Sequence, residues 1–410
     1  MELPIVLTDT VARRIADAAL FDGWAARDSF RWKSGREYAK YEPGDVVTLP
    51  VGAGSVTVRI TNRDDGANGV LSWEGVYADA SVYTQAAATQ SAVTPAGTVS
   101  FAGPTHLEMM DIPLLRDADD DYGVYAAATG YLTGWRGAQV FRSSDGGATF
   151  DDVDNGLLLS PATMGYAETA LGTTALWEQF DEANTVDVAL EYGTLSSVTR
   201  DQVLNGSNAA LLGEEIIQFR TATLLSAGRY RLSGLLRGRL GTDRNVATHA
   251  VSDRFVMLAT GVVKFLRQAS ADVGVERLYR GASIGNTLNG ADDEAVTSAA
   301  VNLKPLAPVH VGGGRDGSGN LTINWVRRTR LSAVWRDYVD APLGEDSESY
   351  SIDVMNGSTV VRTITATTNT ASYTAAQQTT DFGSAQSSIS LRVYQVSATV
   401  GRGYAASATV

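Results

Sequence analysis

The sequence predicts a mainly β, multidomain protein that begins with a small α+β unit and ends in a β-sandwich. Short runs of β-branched and aromatic residues alternate with glycine-rich and polar turns along most of the chain, as in sheets built from short strands. One stretch, residues 10–27, shows helical periodicity instead. A chain of 410 residues is long enough for several domains, each with a core of its own.

The N-terminal helix is predicted over residues 10–27. Val11, Ile15 and Ala19 recur at the spacing of one helical face, and Asp9 lies where an N-cap is expected. We expect this face to pack on a sheet. The strands of that sheet are predicted at 46–49, 56–61 and 70–76, where β-branched residues cluster.

Residues 213–249 carry the densest strand signals in the chain. They predict a three-stranded meander with strands at 216–219, 222–225 and 230–232 and a tight turn at 226–228. The stretch Arg237-Gly238-Arg239 is too glycine-rich to continue a strand. Other predicted strands are 106–115, 123–131, 138–142, 186–190, 194–198, 255–258, 262–265, 276–279, 321–325, 350–354 and 394–398, with a loop at 286–300.

Two connectors divide the chain into three predicted domains. Residues 86–99 are small and polar, and residues 304–308 contain two X-Pro steps that favour a stiff, extended hinge. The predicted domains are an α+β unit at 1–85, a β-rich region at 86–304 and a sandwich at 305–410. The last has the length of a seven-strand sandwich, with Trp325 as a core aromatic.

Charge and residue usage exclude several classes of function. The formal net charge of −13 argues against sequence-specific or other nucleic-acid binding, which needs a basic face. There are no cysteines, and His106, His249 and His310 have no partner at metal-ligand spacing, so we expect no metal and no cofactor. No apolar run is long enough to cross a bilayer, so we expect no integral membrane protein.

Two aspartate motifs suggest local structure. Asp117, Asp119 and Asp121 alternate as in a calcium loop, but Ala128 stands where that loop needs a glutamate. The segment 143–150, SSDGGATF, resembles the Asp-box of sialidases, which is a hairpin turn remote from their catalytic site. It predicts a turn in which the aspartate caps backbone amides.

Glu214, Glu215, Arg237 and Arg239 are the charged residues with a candidate chemical role in the meander. The two glutamates form an acid/base pair in a hydrolase interpretation, but adjacent strand residues point to opposite faces. The alternative is a solvated strand edge. The two arginines either bind an anion beside glycine backbone or tie down a loop through hydrogen bonds to carbonyls.

Two further groups of residues are candidate interaction surfaces. Aromatic residues near glycine form either a sugar platform, the core of a sandwich or a subunit interface; they are Tyr122, Tyr125, Tyr131 and Trp135. A long loop in the C-terminal sandwich contacts a receptor or neighbouring subunit, or pairs with itself; its residues are Arg327, Arg328, Arg330 and Trp335.

Several strings resemble the phage tail-tip proteins related to the gene transfer agent host-specificity protein, the baseplate hub component called megatron. The central ones are EEIIQF, GRYRLSGLLRGRLGT and ATH within 213–249. ELPIVLTDTVARRIADAALFDGWAARDSFRW and YEPGDVVTL lie upstream, while KPLAPVHV, WRDYVDAPLGEDSESYSIDV and YQVSATVGRGYAASATV lie downstream. The C-terminal strings are similar to a fibronectin type III domain.

This resemblance implies a structural, non-enzymatic virion protein of a siphophage or gene transfer particle. It would form the baseplate hub at the tail tip as a homotrimer, next to the distal tail protein, the tape measure and further hub or fibre proteins. It would support host recognition and DNA ejection, and the acidic charge would let DNA slide past. The N-terminal portion of the family, which can include a TIM-barrel-like enzyme domain, is expected on another gene or not at all. The alternative function is an adhesin that binds a host receptor or glycan.

Overall fold

The computed structural model describes residues 9–66, 68–83, 101–175, 178–332 and 338–410. The chain divides into two compact units, Met1–Val99 and Ser100–Val410. Strand residues far outnumber helical residues, and the paired strands of the described residues are antiparallel, so the predicted mainly β fold class is confirmed. The predicted boundaries near 85 and 304 stay predictions, and the predicted connector 86–99 lies outside the described residues.

The first unit is a helix and a four-stranded antiparallel sheet. Its elements are α1 (Asp9–Ala25), β1 (Ser29–Ser34), β2 (Val46–Val51), β3 (Gly54–Asp65) and β4 (Leu71–Tyr77), with the strand order β1-β4-β3-β2. Ile60, Leu71 and Trp73 form the core of the sheet. The predicted helix and all three predicted strands are confirmed, and β1 was missed because its polar residues hide the alternation.

The predicted packing of α1 on the sheet is wrong. Val11 and Ile15 lie beside Val82 and Tyr83 rather than over the sheet. On the opposite side of the helix, Leu20, Phe21 and Trp24 are 66%, 54% and 62% exposed. The helix reaches the sheet through an ion pair between Asp22 and Arg59, whose oxygen and nitrogen are 2.9 Å apart. The apolar residues of α1 fall on two faces, so no single stripe is available for burial.

The second unit holds the remaining helices and strands. Before residue 304 they are, in chain order, β5 (Thr105–Met110), β6 (Gly123–Gly130), β7 (Ala138–Ser143), β8 (Asp151–Asp152), β9 (Leu158–Leu159), β10 (Met164–Ala167), β11 (Val186–Tyr192), α2 (Arg200–Leu204), β12 (Ala209–Leu212), β13 (Glu215–Ser226), β14 (Arg229–Arg239), β15 (Arg254–Met257), β16 (Lys264–Arg267), β17 (Glu276–Ser283) and β18 (Glu294–Thr297). After it they are β19 (Val309–Arg315), β20 (Leu321–Val326), β21 (Tyr350–Asn356), β22 (Thr359–Ala366), β23 (Thr370–Tyr373), α3 (Ala375–Phe382), β24 (Ser390–Ser397), β25 (Gly401–Arg402) and β26 (Ala406–Thr409).

Six of these strands close a barrel, in the order β10-β11-β14-β13-β12-β15. Its interior is filled by apolar side chains that alternate along the strands, among them Val188, Leu212, Phe219 and Phe255. Two smaller sheets accompany the barrel in this unit, β16-β6-β5 and β18-β17-β7-β8, with β9 also paired to β7. The chain leaves the first of these after β6 and returns to it at β16, after the whole barrel has been formed.

The predicted three-stranded meander is wrong in its division of strands. β13 runs without a break through both segments predicted as separate strands, and it pairs with β14 in one long hairpin. No turn-forming residue interrupts the chain at Arg220 and Thr221, whereas Gly228 adopts φ 72° at the true turn. β14 also continues through Gly238, because a bulge in the pairing accommodates it.

The C-terminal strands form a two-sheet sandwich with the strand order of a fibronectin type III domain. One sheet is β19-β20-β23, and the other joins β22, β21, β24 and β26, with β25 pairing beside β24. Trp325 is 2% exposed, as expected for a core aromatic, and its ring meets Tyr350 edge-on at 4.9 Å between centroids. Thr374 caps α3 in a reciprocal capping box with Gln377.

The predicted hinge at 304–308 is packed rather than exposed. Pro305, Leu306 and Pro308 are buried, and the carbonyl of Pro305 accepts a hydrogen bond of 3.0 Å from the amide of Tyr404. Two other predictions also fail, because 194–198 is irregular and the predicted loop 286–300 contains β18. The β-branched residues of the first segment resemble a strand, and the acidic residues of the second resemble a loop.

Phe219 provides a test of the barrel core, because its side chain is fully buried. We expect Phe219→Ala to lower the free energy of unfolding by about 3–5 kcal/mol, since it removes apolar contacts and leaves a cavity. Urea unfolding of the purified chain measures this. Phe101→Ala is the matched control, because Phe101 is 78% exposed and its loss should change stability by about 0.5 kcal/mol or less. Equal effects of the two changes would contradict the barrel core.

Candidate functional site

The candidate site is a buried charge network at one end of the barrel, centred on Arg237. The Arg237 side chain is fully buried, and its Nε and Nη2 donate to both oxygens of Glu215 at 2.9 Å. Nη1 donates to the carbonyl of Gly172 at 2.8 Å and to Asp181 at 3.2 Å, and Nη2 also reaches the carbonyl of Val246 at 3.1 Å. The guanidinium therefore finds acceptors in several separate segments of the chain.

Glu215 extends the network to His249. Its Oε2 lies 2.6 Å from His249 Nε2, and His249 Nδ1 lies 3.0 Å from Asp253. Both ring nitrogens thus face carboxylates, and both contacts are hydrogen bonds when the ring is doubly protonated. The other glutamate oxygen accepts a 2.6 Å hydrogen bond from the amide of Gly238. Gly238 has φ 59°, and a Cβ there would lie 2.7 Å from the Cα of Asp243, so the bulge requires glycine.

The electrostatics of the network favour ionised carboxylates. Burial alone would raise the pKa of Glu215, but hydrogen bonds from His249 and Arg237 and the charge of Arg237 lower it below its usual value. Burial likewise opposes ionisation of Asp181, and hydrogen bonds from Asn184 and Ala183 lower its pKa. Removing one member therefore leaves a buried charge without its partner.

The arrangement can hold strands and loops together, but it presents no free group to a substrate. The side chains of Arg237, Glu215 and His249 are each at most 1% exposed. Glu214 points the other way, with its side chain 60% exposed and an ion pair of 2.7 Å to Arg254. The adjacent glutamates thus point in opposite directions, as predicted, and the solvated-edge interpretation holds for Glu214 only.

Sequence reasoning identified Arg237 but missed most of its partners. Its hydrogen bonds to two carbonyls confirm the prediction of a tied loop. Glu215 was assigned to a solvated edge, and His249 and Asp253 were not linked to it. One signal was available, because Arg237 directly follows the apolar pair Leu235 and Leu236. A charge inside a buried strand requires a counter-charge.

The predicted aromatic surface is not formed as one face. Tyr125 is fully buried and donates its hydroxyl to Asp119, and Trp135 is 7% exposed and donates to Thr105. Tyr122 is half-buried, whereas Tyr131 is 56% exposed. The core interpretation of Tyr125 and Trp135 is therefore correct, and a sugar platform built from all four is wrong.

The arginines of the sandwich loop bind within the chain. Arg327 donates to Asp340 and to nearby carbonyls of the same loop. Arg328 pairs with Asp243 of the barrel region at 3.0 Å, and Arg330 pairs with Asp120 and with Glu345. The loop is thus partly self-paired and partly docked on the rest of the unit. Trp335 lies outside the described residues.

The aspartates predicted to resemble a calcium loop have separate partners. Asp119 accepts from Arg116 at 2.8 Å, Asp117 accepts from the amide of Ser332 at 2.8 Å, and Asp121 accepts from the amide of Tyr122. In the ranges that the structure covers, no group of three or more acidic or histidine side chains is placed to hold a metal ion. Nor does any helix there have the length and apolarity to cross a membrane.

The Asp-box segment is a hairpin turn between β7 and β8, as predicted. Asp145 accepts hydrogen bonds from the amide of Thr149 at 2.9 Å and from its hydroxyl at 2.6 Å. Ser143 accepts from the amide of Gly147 at 2.9 Å. The hydrogen bonds from Thr149 lower the pKa of Asp145. Together with the Ser143 contact, they explain the motif as a turn.

A second histidine joins β5 to the barrel. His106 lies between Glu191 of β11 and Glu108, with Nε2 3.3 Å from Glu108. Hydrogen bonds to Glu108 and then Glu191 raise the pKa of His106 to about 10. The ring of Tyr131 stacks on it at 5.9 Å between centroids. His106 is therefore a cation that bridges two sheets, and nothing in its sequence context indicated this.

Two protein families match parts of the chain. Residues 162–256 match the family described as "Rcc01698-like, C-terminal", and residues 1–63 match the family described as "Putative phage tail protein". The first match begins two residues before β10 and ends one residue before the end of β15, so it spans the closed barrel. The chain is thus similar to phage tail proteins in its N-terminal part. No curated protein matches it significantly.

Several solved structures match the chain weakly. Domains d3-d4 of the rat CD45 extracellular region match at 15% identity and a TM-score of 0.20, covering 37% of this chain and 71% of that one. The FN1-FN3 domains of chicken CNTN1 match at 9% identity and a TM-score of 0.20, covering 75% and 98%. These TM-scores are too low to bear on fold or function.

Glu215, the first residue of β13, and Glu214, which precedes it, allow a matched test of the network. We expect Glu215→Ala to lower the free energy of unfolding by about 3–5 kcal/mol, because Arg237 is left buried without its main counter-charge. Glu214→Ala removes an exposed ion pair and should cost about 1 kcal/mol or less. Urea unfolding compares the two variants. A similar small loss for both would contradict the network's structural role.

The histidine bridge predicts a pH dependence of stability. The folded pKa of His106, about 10, lies above the usual 6.5, so its stabilisation is complete below pH 6.5 and is lost as pH rises through about 10. We therefore expect wild type to exceed His106→Gln in melting temperature at pH 6, with the difference shrinking towards pH 10.5. Thermal melts at several pH values measure it. A constant difference across this range would contradict the bridge.

Proposed function

We propose that this protein is a structural component of a phage tail tip, forming the baseplate hub around the tail axis as a relative of the gene transfer agent host-specificity family. The observation that carries this proposal is the coincidence of the family match at 162–256 with the six-stranded barrel. The match of residues 1–63 to a phage tail family supports it from the other end of the chain. The protein would lie in the virion, at the tail tip.

The contacts of the C-terminal sandwich support a rigid scaffold. Arg328 joins the sandwich loop to Asp243 beside the barrel, with 3.0 Å between nitrogen and oxygen. The guanidinium of Arg244 lies 3.7 Å from the centre of the Tyr404 ring, and Arg330 pairs with Asp120. A hub has to keep such domains in register while the tail is assembled. These contacts join the sandwich to the barrel region and to the segment around Asp120, and they would keep the domains in register.

We propose a role without catalysis. The network around Arg237 has the residue types of an acid/base site, yet its members are buried and bind one another. A general base needs a substrate proton within hydrogen-bond reach. The fully engaged network favours a structural role in hub formation, as does the turn formed by the Asp-box.

The end of the β13–β14 hairpin is the surface on which we place subunit or tail-protein contacts. Leu224 and Leu225 are 61% and 46% exposed at this end. Exposed apolar residues at the tip of a rigid hairpin suit burial in an assembly. We infer a homotrimer in which these tips contact neighbouring subunits. With a net charge of −13, such a ring would repel DNA and let it pass during ejection.

The mass of the protein in solution tests the hub. We expect light scattering to give a trimer of the 43.4 kDa chain, and negative-stain images to show threefold rings. Leu224→Lys together with Leu225→Lys should shift the mass towards monomer, because charges replace the apolar contact. Leu158→Lys is the control, because Leu158 is also an exposed leucine, at 54%, but lies outside the hairpin.

Two results would contradict this arrangement. A trimer that persists in the double lysine variant would place the interface elsewhere. A stable monomer whose melting temperature rises with a host glycan would favour the adhesin instead.

A further inference from the structure

A pocket of about 280 Å³ opens beside the barrel on the side of Arg239. Its walls are mainly apolar and come from five segments, with Leu115, Ile216, Leu258 and Val263 among the lining residues. Pockets for whole small-molecule ligands usually measure about 300–1,000 Å³. This pocket lies at the lower end of that range, so it suits a small group such as a side chain or a short-chain acid better than a nucleotide or a sugar chain.

Arg239 is held in one orientation at the pocket. Its Nε donates to Gln218 Oε1 at 2.9 Å. Gln218 is 4% exposed and is itself fixed, because its Nε2 donates to the carbonyls of Val203 and Ser207 at 2.7 and 3.0 Å. The side-chain amide of Gln218 thus positions the guanidinium through Nε. The two terminal nitrogens of Arg239 make no hydrogen bond to Gln218. Such a planar fork fits a carboxylate without further ordering.

The charge of Arg239 is not matched within the part of the chain that the structure describes. No carboxylate there forms an ion pair with it, and its terminal nitrogens have no hydrogen-bond acceptor. Arg237, two residues earlier, binds two carboxylates and two carbonyls. Arg239 lines the pocket and is exposed, so an anion from solution can reach its terminal nitrogens. Arg116, whose Nε binds Asp119, adds a second cation to the wall.

We propose that this pocket binds one carboxylate carried on a short apolar stem, with the terminal nitrogens of Arg239 as its forked donor. The apolar walls take the stem, and the anion replaces the counter-charge that the chain itself does not supply. An acidic side chain or the C-terminus of a neighbouring protein has this chemistry, as does a free short-chain acid. Gln218 is a positioning residue for the site. The proposal is independent of the hub function, because it concerns one chain.

The test measures binding of 4-methylpentanoate to the full chain by calorimetry at low salt, with 4-methylpentanamide as the neutral analogue. We expect the acid to bind about tenfold more tightly than the amide, which corresponds to about 1.4 kcal/mol. Arg239→Gln should reduce acid binding to the level of the amide. Arg229→Gln should leave it unchanged, because this change removes the same charge from the same strand, but Arg229 lies outside the pocket and is paired with Glu168. Acetyl-Ala-Leu with a free C-terminus separates the sources, since tighter binding than the acid indicates a protein ligand.

Several outcomes would overturn the proposal. Equal binding of acid and amide, or no binding of either at the solubility limit, would show that the pocket does not bind a carboxylate selectively. Equal acid binding by wild type and a folded Arg239→Gln would remove Arg239 from the site. Should that variant not fold, Arg239→Lys decides, because it keeps the charge and loses the fork. Unchanged affinity in Arg239→Lys would contradict forked recognition.

Discussion

The fully buried ion pair between Arg237 and Glu215 is the constraint on which the barrel depends. Apolar burial alone closes the sheet, but it does not fix which loops cover its end. The guanidinium does so, because its donors are directed at one carboxylate in β13, one in the loop before β11 and two carbonyls in different segments. Burying these charges is costly, and the cost is offset only when every partner is in place. One native arrangement of the loops is therefore strongly favoured over its competitors.

The same constraint explains the glycine-rich string around it. Glu215 needs an amide donor from Gly238, and only the bulge at that position brings the amide within 2.6 Å. The bulge in turn requires positive φ and a missing side chain next to Asp243. Residues that look unrelated in the sequence, Glu215, Arg237 and the distant His249, are thus members of one network. They are distant in the sequence because the segments that carry them meet only at one end of the barrel. Such a network suits a rigid scaffold.

The fold class and most strands could be predicted from the sequence because alternation of apolar residues is local information. The length of the first hairpin strand could not, since the polar pair Arg220 and Thr221 interrupts the apolar residues of β13 without interrupting its pairing. For the aromatic residues, the sequence left the core, a subunit interface and a sugar platform open. Tyr125 and Trp135 become core because Asp119 and Thr105 accept their polar groups, and such partners come from other segments of the chain. Of the candidate network, the sequence indicated Arg237 but not its partners, because the charged members lie up to 72 residues apart, from Asp181 to Asp253.

The packed connector between barrel and sandwich has a mechanical consequence. The X-Pro steps stiffen the connector, and it is also packed, because Pro305, Leu306 and Pro308 are buried and the carbonyl of Pro305 accepts a hydrogen bond from the amide of Tyr404. Force applied to β26 is passed to β24, with which it pairs. From the sandwich it reaches the barrel region through the ion pairs of Arg328 and Arg330. Because these contacts act in parallel, no single one carries the whole load. We therefore expect the sandwich and the barrel to move together when force is applied to the sandwich.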